Sequence, residues 1–407
     1  MPELPGAPDL PGPPAPSGAK PHVLVAGVST RAAAESAARA GFRVTAIDAY
    51  ADIDQHPSVT AHALPRTFSA HAAAQAGRGV ECDAVTYLSS FENHPRAVAT
   101  LARGRMLWGN PPAVLRRVRD PHALARALRE RGFAVPAVRS GNSGTLEPWN
   151  PGTSWLVKPL SSGGGRRVRR WSPGTRVPRG CYLQEFVEGR PGSLVFAAAR
   201  GRSVPLGISR QLVGDHEFGA TGYQYCGSLL MPYDDTDGDA VALSAAVAGE
   251  FGLAGVNGID FISRGGRAYA VEVNPRWSAS MELVELAYGI SVFGVHAAAC
   301  ARGQLPDFDL CAAGRGAQVL GKAVVFARQD VVIGDTSAWL PALPAPPALS
   351  GLPALRDIPG AGERIAGGRP VCTVFASGDG VADCHAALVE RARQVYAALA
   401  AWDREVA

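Results

Sequence analysis

A short stretch of charged and amide residues inside an apolar segment constrains the fold most. Residues 258–280 read GIDFISRGGRAYAVEVNPRWSAS, and Glu272, Asn274 and Arg276 recur at every second position near the end. Side chains alternate between the two faces of a β-strand, so these three residues share one face while the intervening ones stay mostly apolar. The pattern predicts a strand with one face reserved for charge.

Asp260 supplies a second carboxylate to the same face. The turn Arg264-Gly265-Gly266 joins its segment to that of Glu272, and an even pairing register places the two acids side by side. Two adjacent carboxylates repel each other unless a cation lies between them, and Mg²⁺ prefers oxygen ligands. The spacing therefore predicts a Mg²⁺ site; the alternative is a structural Glu–Arg network across the strands.

Composition narrows the class of protein. The 407 residues contain 40 basic and 36 acidic side chains, a net charge of +4 that favours neither a nucleic-acid partner nor a membrane surface. The seven cysteines show no paired spacing, which suits reduced thiols. No membrane-spanning run or signal pattern is present, so we expect a cytoplasmic protein. We expect its partners to be small molecules, and a homodimer is compatible with the sequence.

The N-terminal part predicts a parallel sheet. Residues 1–20 are dominated by Pro, Gly and Ala and are expected to be a disordered tail. Strands at 23–26 and 44–48 flank a helix at 31–39, and a later strand at 84–88 extends the sheet. The turn at 27–30 lacks the other glycines of a dinucleotide fingerprint, which disfavours NAD binding.

The next region combines one basic helix with a glycine loop. We expect a single helix through residues 113–131, with Leu115, Leu124 and Leu128 inward, then a loop at 140–154 and a strand carrying Lys158. Ser161-Ser162-Gly163-Gly164-Gly165 follows. Consecutive glycines bring backbone N–H groups close to a ligand and adopt positive φ, which suits phosphates near Lys158; a flexible hairpin tip is the alternative.

Two further strands follow at about 181–188 and 193–199, around Glu185-Phe186-Val187-Glu188-Gly189. The chain thus presents, in order, a strand lysine, a glycine-rich loop, this acidic hinge, Asp260 and the Glu272-x-Asn274-x-Arg276 strand. In this order the sequence resembles the ATP-grasp superfamily over residues 21–310, and within it the biotin-carboxylase-related group of ATP-dependent carboxylate–amine ligases.

The resemblance implies the fold class: α/β, with a Rossmann-like N-terminal domain at 21–110 before an ATP-grasp domain at 111–310. The small lobe would span about 111–185 and the large lobe 186–310. Residues 311–407 would form a β-rich closing region that ends in a helix.

The resemblance also implies roles for individual residues, with ATP and Mg²⁺, or Mn²⁺ in its place, as cofactors. Phosphates would be held by Lys158 and covered by Ser162, Gly163, Gly164 and Gly165. The hinge would hold the adenosine through Glu185, Phe186, Val187 and Glu188. Mg²⁺ would be held by Asp260, Glu272 and Asn274. Arg276 would face the transferring phosphoryl group. Family members often carry a lysine where this chain has Arg119. Arg119 would supply the same positive charge, but on a planar, forked guanidinium.

The reaction class depends on the residues after Arg276. Biotin carboxylases carry a base there that activates bicarbonate, whereas this chain reads Trp277-Ser278-Ala279-Ser280-Met281. We therefore expect a ligase that joins a small carboxylate to a small amine through an acyl phosphate, with Arg210 binding a substrate anion. A carboxylase and a non-catalytic ATP-binding module are the alternatives. Joining an amino acid such as glutamate to an amine in cofactor assembly is one such reaction; the acid and the amine stay open.

Overall fold

The computed structural model describes residues 20–64, 67–141, 152–234, 237–340 and 354–406, with side chains up to residue 403. Residues 1–19 of the tail predicted at 1–20, most of the loop predicted at 140–154 and a Pro-rich stretch at 341–348 lie outside the described residues.

The N-terminal domain is a parallel sheet flanked by helices. Its five strands run in the order β3-β2-β1-β4-β5, and every pairing is parallel. The strands expected at 23–26, 44–48 and 84–88 and the helix at 31–39 are confirmed. The elements are β1 (His22–Ala26), α1 (Arg31–Arg39), β2 (Arg43–Asp48), β3 (Val59–Ala63), α2 (Ala70–Ala76), β4 (Ala84–Tyr87), α3 (Pro95–Leu101) and β5 (Met106–Leu107).

The single helix expected at 113–131 is wrong, because two helices occupy this segment: α4 (Pro112–Val118) and α5 (Pro121–Glu130). Pro121 has no N–H to continue the first helix. Asp120 begins the second by accepting hydrogen bonds from the N–H groups of His122 and Ala123 at 2.9 and 3.3 Å. Arg119 is left at the junction between the two helices.

The small lobe is built on a four-stranded sheet in the order β6-β9-β7-β8. Lys158 pairs with Tyr182 across β7 and β9, so the two side chains share a face. Trp155, Val157 and Leu183 pack together on the other face. The strands are β6 (Val138–Ser140), β7 (Trp155–Pro159), β8 (Arg169–Arg170) and β9 (Cys181–Glu185).

The large lobe and the C-terminal region share one eight-stranded sheet in the order β14-β13-β10-β11-β12-β15-β19-β17. The C-terminal strands therefore extend the large-lobe sheet, and β16 and β18 form a separate pair. The strands are β10 (Arg190–Ala199), β11 (Arg202–Val213), β12 (Tyr225–Met231), β13 (Gly255–Arg264), β14 (Arg267–Asn274), β15 (Val319–Phe326), β16 (Val331–Val332), β17 (Leu355–Arg356), β18 (Arg364–Ile365) and β19 (Pro370–Gly378).

Five helices cover this sheet and complete its cores. They are α6 (Gly238–Phe251), α7 (Ser280–Tyr288), α8 (Val292–Arg302), α9 (Leu310–Gly314) and α10 (Val381–Val406). Residues of α6 pack on one face, and residues of α7 and α8 pack on the other together with the N-terminal domain. Among the described residues, no single helix is long and apolar enough to cross a membrane, although the bent α7–α8 pair passes by length and composition.

A buried ionic cluster fastens the N-terminal domain to the rest of the chain. The guanidinium of Arg31, which is fully buried, contacts Glu35 at 2.8 Å, Glu282 of α7 at 2.6 Å and Asp357 near β17 at 2.7 Å. Lys322 of β15 pairs with the second oxygen of Glu282 at 2.5 Å. One arginine thus ties together three parts of the chain that lie far apart in sequence.

Candidate functional site

The charged strand pair forms as predicted. Asp260 stands opposite Glu272, and Gly258 stands opposite Asn274, in the antiparallel register of β13 and β14. A bulge interrupts the register after Asp260, so that Phe261 pairs with Ala270. Simple alternation would put Ala270 on the face of Glu272, but the bulge lets Ala270 join Phe261 in the core behind the sheet. Glu272 is left on the polar face.

Asp260 is held on both of its oxygens. Gln211 Nε2 donates to Oδ1 at 2.9 Å, and Asn274 Nδ2 donates to Oδ2 at 3.0 Å. Burial, and then the charge of Glu272, raise the pKa of the Asp260 carboxyl to about 7. The carboxylate pair therefore carries an electrostatic cost that a bound cation would remove.

Glu272 keeps its charge because cations surround it. Burial acts to raise its pKa, but the charges of Arg119, Lys158 and Arg276 outweigh burial and hold the pKa below the ordinary value. About 28% of the Glu272 side chain remains exposed. A cation can therefore reach this carboxylate.

Arg119 connects three parts of the site from the junction between α4 and α5. Its Nη1 lies 3.3 Å from Glu272 Oε2 and donates to the Val273 carbonyl at 3.0 Å. Its Nη2 donates to Asn93 Oδ1 at 3.3 Å and to the Ser162 carbonyl at 3.4 Å. The helix break at Pro121 thus leaves a cation between the carboxylates and the glycine loop.

Lys158 approaches from the small lobe. Its Nζ donates to Gln184 Oε1 at 3.0 Å, and Gln184 Nε2 donates to the Val271 carbonyl of β14 at 3.2 Å. The small-lobe sheet is therefore joined by hydrogen bonds to the strand that carries Glu272. Lys158 lies on the polar face of its sheet, as the expected phosphate contact requires.

The glycine loop folds down onto the large lobe. The Gly164 carbonyl accepts a hydrogen bond from Tyr225 N at 3.1 Å. Gly164 and Gly165 adopt φ values of 61° and 71°, whereas Gly163 stays outside the left-handed region. A Cβ at Gly165 would lie 1.7 Å from the Tyr223 carbonyl oxygen, so only glycine fits this contact. The loop covers the cleft near Arg119.

Arg276 lies just beyond the end of β14. Its Nη2 pairs with Glu92 Oε1 at 2.8 Å and contacts Asn274 Oδ1 at 3.2 Å, while Nη1 donates to the Trp277 carbonyl at 2.9 Å. Glu92 belongs to a short 3-10 turn, Phe91–Asn93, of the N-terminal domain. The site thus includes a domain that precedes the two lobes.

The predicted hinge lies where the chain crosses from the small-lobe sheet to the large-lobe sheet. Strand β9 ends at Glu185 in the small-lobe sheet, and β10 begins at Arg190 in the large sheet, so the chain changes lobes between them. The Glu185 carboxylate accepts from Ala137 N at 3.0 Å, and the Arg170 guanidinium lies 3.3 Å from the centre of the Phe186 ring. Val187 is buried, and Glu188 is exposed.

Residues 118–280 match the profile of the ATP-grasp domain family. The chain contains an ATP-grasp domain. Its fold also resembles L-amino acid ligase from Bacillus licheniformis, with a TM-score of 0.66, 15% identity, and coverage of 92% of this chain and 98% of that one.

Two further comparisons show proteins of limited sequence similarity. The biotin carboxylase domain of Hydrogenobacter thermophilus 2-oxoglutarate carboxylase, in complex with MgADP, ADP and bicarbonate, aligns with a TM-score of 0.64 and 15% identity over 88% of this chain and 86% of that one. An uncharacterized protein from Methanocaldococcus jannaschii is 22% identical over 189 residues. That alignment spans less than half of each protein, 44% of this chain and 45% of the relative.

Arg210 does not join the polar face of the ATP-grasp domain, which corrects its predicted place at the reacting groups. Gln211 reaches Asp260, and neighbouring residues on a strand point to opposite faces. Arg210 is exposed on the other side of the sheet. The sequence contains both residues, but only the register of β10, β11 and β13 decides which one faces the carboxylates.

Glu92 and Asn93 were also missed from the sequence. They lie in a turn of the N-terminal domain, whose sequence pattern indicates only alternating strands and helices. Glu92 also stands 184 positions before its partner Arg276. The local sign is that these two polar residues follow shortly after the buried strand β4, which ends at Tyr87. Ligand sites commonly form at the carboxyl ends of parallel strands, which would have drawn attention to this turn.

A cavity of about 1170 Å³ adjoins the ATP-grasp site on the far side of Arg119. Glu92, Asn93, Arg119 and Tyr182 form part of its wall. Asp260, Glu272 and Lys158 do not line it, so the cavity is a neighbouring chamber rather than the carboxylate cluster itself. Its position leaves room for a second molecule beside the glycine loop.

Proposed function

We propose that the protein is an ATP- and Mg²⁺-dependent carboxylate–amine ligase that acts through an acyl phosphate. The observation that carries the proposal is the convergence of Arg119, Lys158 and Arg276, from three separate elements, on the Asp260–Glu272 pair. Anion-binding side chains around a carboxylate pair match the needs of phosphoryl transfer, in which the protein mainly positions groups and neutralises charge.

The residues present fit Mg²⁺. Asp260 and Glu272 offer carboxylate oxygens and Asn274 offers an amide oxygen, which are hard ligands of the kind that Mg²⁺ uses together with phosphates and water. No group of three or more His, Cys, Asp or Glu side chains in the described ranges forms a complete metal site. Nucleotide and water oxygens would complete the coordination. When bound, Mg²⁺ would neutralise charge on the phosphate oxygens.

Three cations and one loop would then bind different parts of ATP. Lys158 and Arg119 would bind the phosphates from either side of the Glu272 carboxylate. The loop from Ser162 to Gly165 would cover them and exclude water, which protects a mixed anhydride from hydrolysis. Arg276 would bind the phosphoryl group as it passes to the substrate carboxylate, and the hinge at 185–188 would hold the adenosine.

The surroundings of Arg276 favour an amide-forming ligase over a carboxylase. Residues 277–281 contain no acid or base, and the hydroxyls of Ser278 and Ser280 lie within 3.3 Å of each other. Glu282 is the next carboxylate along the chain. Burial acts to raise its pKa, but Arg31 and Lys322 lower it to about 2, so Glu282 cannot serve as a base near neutral pH. Bicarbonate would find no activating group in this stretch.

The likeness to L-amino acid ligase supports amino acids as the first acids to test. Purified protein with Mg-ATP and each protein amino acid, alone and in pairs, should form ADP only when an acceptable acid is present. Mass spectrometry should then detect an amide together with ADP. ADP formation that no acid stimulates would contradict the ligase proposal and favour a non-catalytic ATP-binding module. Formation of a carboxylated product from bicarbonate would favour the carboxylase.

A further inference from the structure

Glu92 is a buried carboxylate with one occupied and one unoccupied oxygen. Only 1% of its side chain is exposed, and Oε1 forms the ion pair with Arg276. Oε2 is shielded from solvent and has no hydrogen-bond partner among the described residues. Buried polar atoms are nearly always hydrogen-bonded, because removing them from water without a partner is unfavourable. An unpartnered oxygen at this position points to a missing donor.

The turn that carries Glu92 is firmly placed against the site. Phe91 is fully buried in the core of the N-terminal domain. Asn93 contacts both Arg119 and the Ser162 carbonyl, at 3.3 and 3.4 Å. Tyr87, at the end of the preceding strand, donates to the carbonyl of Pro275, the neighbour of Arg276, at 3.3 Å. The Glu92 carboxylate is therefore positioned by contacts on both sides.

We propose that Glu92 accepts the proton of the attacking amine, an inference that rests on the ligase function proposed above. Arg276 would hold the phosphoryl group of the acyl phosphate on one side of Glu92, and Oε2 would receive an N–H of the acceptor on the other. The adjoining cavity has Glu92 in its wall and would hold the acceptor beside the glycine loop.

The nitrogen lone pair of the neutral amine forms the C–N bond, and the bond from the acyl carbon to the phosphate oxygen breaks with its electron pair leaving on phosphate. The N–H proton passes to Glu92 Oε2 and then to the departing phosphate. The products are an amide and hydrogen phosphate. No oxidant or reductant takes part.

Glu92→Gln separates this role from that of holding Arg276. Glutamine has nearly the same shape and its amide oxygen can still accept from Arg276, but it cannot take up a proton. General-base catalysis contributes about 100-fold or more, so amide formation should fall by at least that factor in the variant. The loss should persist at high pH, because Glu92 takes its proton from the neutral amine as the C–N bond forms.

Hydroxylamine provides the decisive comparison, because it is largely unprotonated at neutral pH and reacts without a base. We expect Glu92→Gln to form hydroxamate from the acid and Mg-ATP within a few-fold of wild type while losing amide formation. The matched control is Glu285→Gln, since Glu285 pairs with Arg39 across the same domain boundary but contacts none of the site residues described above. It should keep both activities, and the melting temperature of each variant shows whether it stays folded under the assay conditions.

The outcomes are distinguishable. Hydroxamate and amide falling together in Glu92→Gln would overturn the proposal and leave Glu92 as a residue that only positions Arg276. Wild-type protein that forms no hydroxamate from any acid in the panel would instead overturn the ligase function itself.

Discussion

Asp260 and Glu272 stand directly opposite each other on β13 and β14, yet their carboxyl groups have opposite pKa shifts. Asp260 is held by two amide donors and faces the negative charge of Glu272. Glu272 is surrounded by three cations. The pair is therefore arranged to hold one proton until a cation takes its place.

Binding of Mg²⁺ should consequently depend on pH. The pKa of Asp260 is raised to about 7, so below pH 7 the metal must displace a proton, and above pH 7 it does not. We expect Mg²⁺ affinity, measured by calorimetry with ADP present, to be about tenfold higher at pH 8 than at pH 6, since one proton is displaced. Asp260→Asn should remove the excess dependence and controls for the titration of ADP. An equal dependence in both proteins would contradict the assignment.

Two glycines of the loop should differ sharply in their tolerance of a side chain. Gly165→Ala places a Cβ against the Tyr223 carbonyl and forces alanine to a φ of 71°, so the loop cannot seat as it does in this structure. Strain of this kind costs about 1 to 2 kcal/mol, which should weaken ATP binding about tenfold. Gly163→Ala is the matched control, because no atom lies within 4 Å of its added Cβ. Equal affinities in the two variants, measured by calorimetry, would contradict a phosphate-covering loop.

Arg276 and Arg210 provide a matched pair. Arg276 lies beside the carboxylate cluster, whereas Arg210 is exposed on the other face of the sheet. Arg276→Lys keeps the charge but loses the planar fork that binds spread phosphoryl oxygens, so kcat should fall by at least tenfold with little change in ATP affinity. Arg210→Lys should leave both quantities near wild type, since Arg210 lies away from the carboxylates. Steady-state kinetics with the acid found above would check this. A larger fall in kcat for Arg210→Lys than for Arg276→Lys would contradict the placement of the reacting groups on the face of Asp260 and Glu272.

Local sequence patterns are sufficient to predict one part of the site but not the contacts between distant elements. The two strands and the polar face of Glu272 and Asn274 could be predicted from nearby residues, but the opposition of Asp260 and Glu272 also needs the bulge, because the register of the turn would set Asp260 opposite Val271. Glu92 could not be predicted, because its contact with Arg276 depends on how a separate domain packs. Gln211 was missed for a related reason, since strand alternation distinguishes it from Arg210 only once the neighbouring strands are aligned.

Arg31 tests whether the N-terminal domain is held in place by buried charge. Arg31→Met leaves Glu35, Glu282 and Asp357 without their shared cation, and loss of one partner from a buried ionic group costs about 3 to 5 kcal/mol. The midpoint of urea unfolding should fall accordingly. Arg117→Met is the control, since 57% of the Arg117 side chain is exposed and its pair with Glu250 should contribute under about 1 kcal/mol. Equal losses in the two variants would argue against the buried cluster as the main fastening.

Transfer of ¹⁸O from a labelled substrate carboxylate to phosphate tests the central claim most directly. Attack of the carboxylate on ATP and displacement of phosphate by an amine leave one carboxylate oxygen on each phosphate released. We therefore expect one ¹⁸O atom per phosphate in wild type, with phosphate release slowed in Arg276→Lys and unchanged in Arg210→Lys. Unlabelled phosphate, released at the same rate with and without the acid, would contradict an acyl phosphate and with it the ligase function.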